Sequence, residues 1–531
     1  MMKSTLAFFA CLVLFGTQQL VRADEGSSDR GYAVEHVLLI SVDGLHALDL
    51  ANYVAQHPNS TLAALSQNGV TYTNASTSTP SDSFPGLASL VTAGSPTTTG
   101  FWYDVTWNRA VSPQLTGNTI MGSTGGNCPG TIGAVVELDE GVDNDLTQLD
   151  GGGGINPAYL PRDPTNGCQP IYPHQYLRVN TIFEVVHSHG GRTAWTDKHP
   201  SYEWTNGPSG TGVDDFYGPE INSIPVALAQ FPGCSPVPYG DSIPDDGWTT
   251  SFANIMCYDS LHVQAVLNQI DGYTHDRSSH VGVPGLFGTN FQAVSVGEKL
   301  KTDPVSGISG GYTDVLGTPS AGLSSELDFV DQSLGKMVSE LKNQGVYAST
   351  LIIIGAKHGQ SPIDISKRTG IGGNQPATLI GAPEAFDISD DGSLIWLTDP
   401  SLAPTVVSLL SQPANQQTLG IQEIFAGASL QNKFNSPSQD PRTPDIILKV
   451  NTGVIFTGGS KVAEHGGFNE DDVHTALLIS NPRLKAASVN VAVSNQQVAA
   501  TIVKALGYDP RELEAVRKED IHVLPFLFDG N

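Results

Sequence analysis

Cationic side chains are scarce in this chain: 26 Lys and Arg stand against 53 Asp and Glu, a formal net charge of −27. No basic patch stands out that could displace the counterions of a polyanion, which argues against nucleic-acid duplexes as partners. A small phosphorylated substrate is not excluded, because a cationic pocket can sit within an acidic surface. Beyond the N-terminus no apolar run is long enough to span a membrane. Cysteine is sparse too, with five residues and no two at a Cys-x-x-Cys spacing, which argues against a thiolate zinc site. The N-terminus is the exception to the lack of apolar runs. Lys3 precedes the run Leu6 to Gly16, and Val21-Arg22-Ala23 offers small residues at the spacing signal peptidase needs. Residues 1–23 are therefore predicted to be a signal peptide, and the protein to be secreted and extracellular. Its removal takes Cys11 and leaves Cys128, Cys168, Cys234 and Cys257, an even set suited to an oxidising compartment. Of the three pairings, Cys128–Cys168 with Cys234–Cys257 is the simplest.

What is present alternates between strand and helix signals. His36 to Val42 is a continuous apolar run that stops at Asp43-Gly44, as a buried parallel strand does. Leu327 to Leu341 carries apolar residues at helical spacing, Gly345 stops it, and the β-branched run Thr350 to Ile354 follows. Asn180 to Val186, Gly190-Gly191 and Arg192 to Thr196 repeat that order, the βαβ unit of a parallel sheet. Asp445 to Val450 and Thr475 to Ile479 are further strand candidates. Two long Gly- and Pro-rich stretches, at about 122–173 and 207–288, carry the cysteines. They read as disulfide-pinned insertions in one large domain, residues 24–531.

In open α/β sheets ligands bind beyond the carboxyl ends of the strands. The residues there are Asp43, the segment near Ser83, Asp197-Lys198-His199, Lys357-His358 and, later, His465. A hydroxyl opening a helix, as at Ser83, meets unpaired N–H groups and a positive dipole end that favour an alkoxide and an incoming phosphate. As a purely local device it would be an N-cap.

Ser41-Val42-Asp43-Gly44, followed forty residues later by Thr79-Pro80-Ser81-Asp82-Ser83-Phe84-Pro85-Gly86 and the helical run to Gly94, resembles the signature of type I phosphodiesterases and nucleotide pyrophosphatases. The resemblance continues through Leu327 to His358 and at Glu464-His465-Gly466-Gly467. It implies an α/β, alkaline-phosphatase-like doubly wound and mainly parallel sheet, with helices on both faces and long loop insertions. It implies Ser83 as nucleophile and Asp43, His358 and His465 as metal ligands.

The pattern also breaks. The family's Asp-His-Gly reads Lys357-His358-Gly359, and its Asp-x-x-Gly-His-x-x-Gly falls on Asn290 to Gly297, with Asn290 for Asp and Val294 for His. A phosphate-contacting Asn is replaced by Asp104. Two divalent ions about 4 Å apart need several carboxylates to offset their repulsion, and these substitutions remove them. Two expectations follow for the cofactor. One divalent ion, zinc first, is held by Asp43, Ser83 and His358; or there is none, and the Lys357 ammonium takes its place. Lys198 and His199 add a cation and an imidazole at the same rim, and with Lys357, Asn290 and Asp104 they are the candidate substrate-binding residues. The expected activity is hydrolysis of a phosphodiester, pyrophosphate or related anionic ester, the partner being a small phosphorylated or other anionic ester substrate. The alternative is a catalytically inactive relative that binds such a ligand.

Overall fold

The computed structural model describes residues 34–117, 125–223, 231–237 and 247–528. The predicted signal peptide and parts of both predicted insertions lie outside the described residues. Twelve strands matter to the site: β1 His36–Val42, β2 Gly69–Tyr72, β3 Ala194–Thr196, β4 Asp215–Tyr217, β5 Leu286–Phe291, β6 Thr350–Gly355, β7 Glu384–Ser389, β8 Gly392–Leu397, β9 Ile421–Ala426, β10 Ile446–Val450, β11 Leu477–Ser480 and β12 Ala487–Val489. Eight of them form one sheet in the order β12-β2-β11-β6-β1-β5-β3-β4. The stretch β6-β1-β5-β3-β4 is parallel throughout, and β11 runs antiparallel to both β6 and β2.

The central strands read as unbroken apolar runs because both of their faces are covered. In β1, Val37 and Leu39 join one core while Leu38, Ile40 and Val42 join the other; in β6, Leu351 and Ile353 are divided from Ile352 and Ile354 in the same way. The first core takes in the helix Ser83–Thr92 and the helix Gln496–Ala505, the second the helix Ala321–Asn343. The predicted helix between Asn180 and Val186 spans Ile182–Ser188 and begins with a capping box, the Thr181 side chain accepting from the Glu184 N–H.

Asp445 to Val450 does form a strand, β10, but it belongs to a separate four-stranded antiparallel sheet ordered β7-β8-β10-β9. Ile395, Leu397, Ile446 and Leu448 point into one core of that sheet, and Leu394, Trp396 and Ile447 pack with Trp102 and Tyr103 on its other face. Trp102 and Phe101 are fully buried, so these aromatic residues are core. Both disulfides, Cys128–Cys168 and Cys234–Cys257, have the sequential pairing. Among the described residues no helix is long and apolar enough to cross a membrane.

Candidate active site

Four neighbouring parallel strands end at one edge of the sheet and deliver the chemistry there. Ser41 lies opposite Gly355 of β6 and Asn290 of β5, and Thr289 opposite Thr196 of β3. The turn after β1 is tied to both neighbours: the Asp43 N–H donates to the Phe291 carbonyl at 2.9 Å and the Gly44 N–H to the His358 carbonyl at 3.1 Å. Asp43, Asn290, Lys357 and Asp197 are thereby brought to one buried centre, each no more than 1% exposed.

At that centre is the Lys357 ammonium. Its Nζ lies 3.4 Å from Asp43 Oδ2 and 3.4 Å from Asp197 Oδ1, donates to Tyr202 Oη at 3.3 Å and sits 4.7 Å from the centre of the Tyr202 ring. The Asn290 amide, oriented to satisfy its neighbours, donates to Asp43 Oδ1 at 2.9 Å and Ser41 Oγ at 2.8 Å and accepts from Lys357 Nζ at 3.3 Å. Gln292 donates to Asp43 Oδ2 as well. Burial alone would raise the Asp43 carboxyl, but Lys357, then His358 and Lys198, outweigh it and hold the group well below the usual carboxylate range. Burial pushes Asp197 up, with Lys357 opposing.

Ser83 opens the helix Ser83–Thr92, but the cap is Asp82, whose carboxylate accepts from the Phe84 N–H at 3.1 Å. The serine hydroxyl is thus released from capping. It takes a hydrogen bond from Lys198 Nζ at 3.2 Å and lies 3.4 Å from His358 Nε2. His358 Nδ1 is 2.9 Å from the Gly359 carbonyl, an acceptor only, so the ring proton is on Nδ1 and the Nε2 lone pair faces Ser83. Nε2 is also 3.5 Å from Asp43 Oδ2. Burial lowers the His358 imidazole below its ordinary value, with Asp43 opposing.

His465 packs against His358 with ring centres 3.9 Å apart and the rings tilted by 56°, and its Nδ1 faces Asp82 Oδ1 at 3.8 Å. Burial, then His358 and Lys299, depress the His465 imidazole. Burial, then Asp104, push the Asp82 carboxyl well up. Asp104 itself is partly exposed and accepts from the Val105 N–H at 2.8 Å. His199 hydrogen-bonds Glu220 at 2.9 Å and stacks on Tyr202. Val294 is fully buried in the apolar core.

Residues 37–119 and 312–473 match the family model of type I phosphodiesterase / nucleotide pyrophosphatase. Over those two segments the chain is similar to that family. No curated protein matches the sequence. Among solved structures, murine ectonucleotide pyrophosphatase / phosphodiesterase 5 shares the fold with a TM-score of 0.52 at 13% identity, over 90% of this chain and 96% of that one. An inactive form of the same murine protein, in complex with AMP, gives 0.51 at 13% identity, over 90% and 96% of the two chains. The alkaline phosphatase PafA gives 0.55 at 12% identity, over 89% and 96%. Asp43, Ser83, Asp104, Lys357, His358 and His465 fall inside the segments that match this phosphodiesterase family; Asp197, Lys198, His199 and Asn290 fall between them.

The pair of metal ions that this family implies does not fit the side chains present. A fixed ammonium shares Asp43 and Asp197, one position that should carry a carboxylate is an amide, and Val294 offers no ligand atom. Among the described residues, His46, Asp49 and Glu298 form a group of three metal-capable side chains outside the predicted set. Reading strand ends one by one also missed Gln292, two residues past Asn290 and found by the same rule, and Tyr202, for which no sequence signal exists.

Proposed function

We propose that the protein is a secreted hydrolase of phosphate diesters, pyrophosphates or related anionic esters, working through Ser83 at a site where lysine ammonium groups do the work of metal ions. The observation that carries this is the convergence of Lys198 Nζ and His358 Nε2 on Ser83 Oγ, at 3.2 and 3.4 Å. As the Ser83 oxygen bonds to phosphorus, its proton passes to His358 Nε2, and Asp43 stabilises the imidazolium that forms. The bond from phosphorus to the leaving oxygen breaks on the side away from Ser83, and that oxygen takes a proton from water. A water then attacks the phosphoserine from that same side, losing its proton to solvent, and the His358 imidazolium returns its proton to the Ser83 oxygen as the bond from that oxygen to phosphorus breaks. Lys198, and Lys357 behind it, offset the charge on the phosphoryl oxygens as point charges without a metal's geometric demands. The AMP carried by the murine structure of the same fold supports a nucleotide monoester unit as the part of the substrate that is held. The two disulfides support an oxidising, extracellular setting.

Turnover of bis-p-nitrophenyl phosphate by the full chain tests the reading. Ser83→Ala is expected to lower it by at least about 10³-fold. Unchanged turnover in Ser83→Ala would overturn the mechanism. AMP binding without turnover by the wild type would favour the inactive, ligand-binding relative.

A further inference from the structure

A second buried polar centre adjoins the Asp43-Gly44 turn, outside the reacting cluster: a methyl group on Gly44 would come within 2.6 Å of Glu298 Oε2. His46 is the cap of the helix Ala47–Gln56 and Asp49 lies in its first turn, Glu298 lies on the helix Ala293–Lys299, and Tyr312 precedes the helix Ala321–Asn343. His46, Asp49 and Glu298 are no more than 2% exposed. His46 Nδ1 is 2.8 Å from Asp49 Oδ2 and 3.3 Å from Glu298 Oε1. Tyr312 Oη is 2.9 Å from both Asp49 oxygens, 2.6 Å from Glu298 Oε1 and 2.9 Å from His46 Nδ1. Adjacent ligands set at right angles about 2.1 Å from a small divalent ion are about 3 Å apart, which is this spacing.

The proton count leaves the centre short. The Tyr312 hydroxyl has one proton, and three carboxylate oxygens surround it. The His46 backbone N–H also donates to Asp49 Oδ2 at 3.0 Å, but it adds no charge: even with the His46 ring protonated, two ionised carboxylates leave a buried negative charge, which an interior tolerates poorly. The surrounding groups already hold the ligands in place. Gln360 presents its carbonyl to His46 Nε2 at 2.9 Å and its N–H at 3.0 Å, so either ring tautomer is accommodated; the carbonyl-bonded one frees the Nδ1 lone pair toward the carboxylates. The Gln360 side chain donates to Glu298 Oε2 and accepts from Ser295 Oγ at 2.9 Å, turning Oε1 inward.

We propose that His46, Asp49, Glu298 and the Tyr312 hydroxyl hold one divalent transition-metal ion, manganese or zinc. The imidazole in the donor set disfavours calcium and magnesium. The ion cross-links the two helices and, through Gln360, steadies the turn that carries Lys357 and His358. Its place is distinct from the site the family uses.

Elemental analysis of the purified full chain is expected to find about one manganese or zinc per chain. Glu298→Gln and Asp49→Asn should each reduce this below about 0.1, whereas Asp43→Asn should keep it. Because a ligand variant can fail to fold, wild-type protein stripped with chelator provides a second arm: Mn²⁺ or Zn²⁺ alone should raise its Tm. Two results would overturn the proposal. One is wild-type protein with neither bound metal nor a Tm response, which would mean that a proton fills the centre. The other is metal lost from Asp43→Asn and kept in Glu298→Gln, which would place the ion in the reacting cluster and also sink the metal-free mechanism proposed for Ser83.

Discussion

The two lysines near Ser83 differ in what holds them, and so should their variants. Lys357 is fully buried between Asp43 and Asp197, and its removal strands two interior carboxylates. Lys357→Met is expected to destabilise the fold by about 3–5 kcal/mol in urea denaturation as well as to impair turnover. Lys198 is partly exposed and touches the serine hydroxyl. Lys198→Met should lower kcat while leaving the denaturation midpoint nearly unchanged, and equal losses of stability in the two would contradict the assignment. His358 gives a pH test. A base must be neutral to act, and burial holds this imidazole below its ordinary value, so the acid limb of kcat/KM should lie below about pH 6.5. Asp43 is the group that opposes that depression, so Asp43→Asn should move the limb to still lower pH. A limb that moves upward would exclude His358 as the base.

Between elements, the decisive contact is the packing of the helix Ser83–Thr92 on the turn after β6. Glycine inside a helix ordinarily weakens it, yet Gly86 sits in the second turn because a methyl group there would overlap the Lys357 carbonyl. Thr77 Oγ1 donates to the same carbonyl at 2.5 Å. Gly86→Ala should therefore push helix and turn apart, costing about 1–3 kcal/mol, and should lower kcat by shifting Ser83 away from His358. A gain in thermal stability would show that the contact can relax. The same elements show what the sequence could disclose. β1 and β6 were legible because strands covered on both faces are apolar at every position. The place of Ser83 at the start of a helix was legible because it lies within a contiguous motif, although the motif did not reveal that Asp82 takes over the capping. The sheet of β7 to β10 was not anticipated, because β10 reads as one more apolar run and its partners are fixed only by pairing across 51–57 residues to β8 and 20–29 to β9. The proximity of Lys198 to Ser83 spans 115 residues and that of Tyr312 to His46 spans 266. Both depend on strand register and helix packing that no local pattern encodes.

Across the molecule, acidic groups dominate inside as well as outside. Burial pushes Asp472 up to about 7, against hydrogen bonds from Ser81 and the Gly467 N–H, and burial with Glu464 pushes Asp390 up to about 6. Asp82 and Asp391 are also raised, in both cases by burial first. A carboxyl in the unfolded chain titrates near 4, so between that value and the raised ones the folded chain holds protons that the unfolded chain has released. Stability then falls as pH rises through this window, and above the folded values the penalty is constant. Asp43 and Glu464 act in the opposite sense. Burial would raise Glu464, but Lys299 and Lys461 bring it to about 2, and the stability such groups add is present above about pH 4 and lost only as pH falls through their lowered values. The two carboxyl sets alone favour about pH 4–6, as does the decline in the net charge of −27 on acidification. But His262, His358 and His465, held below their ordinary value by burial, cost stability as pH falls below about 6.5 and move the maximum toward that value. Melting curves should show Tm falling from about pH 6.5 to pH 8, where these histidines are neutral in both states and the raised carboxyls ionise. Asp472→Asn removes an ionisation that the interior resists, so it should raise Tm at pH 8 and flatten the slope between pH 5 and 8. A Tm that climbs steadily to pH 8, unaffected by Asp472→Asn, would mean that these buried carboxyls are ionised in the folded chain and that cations compensate them there.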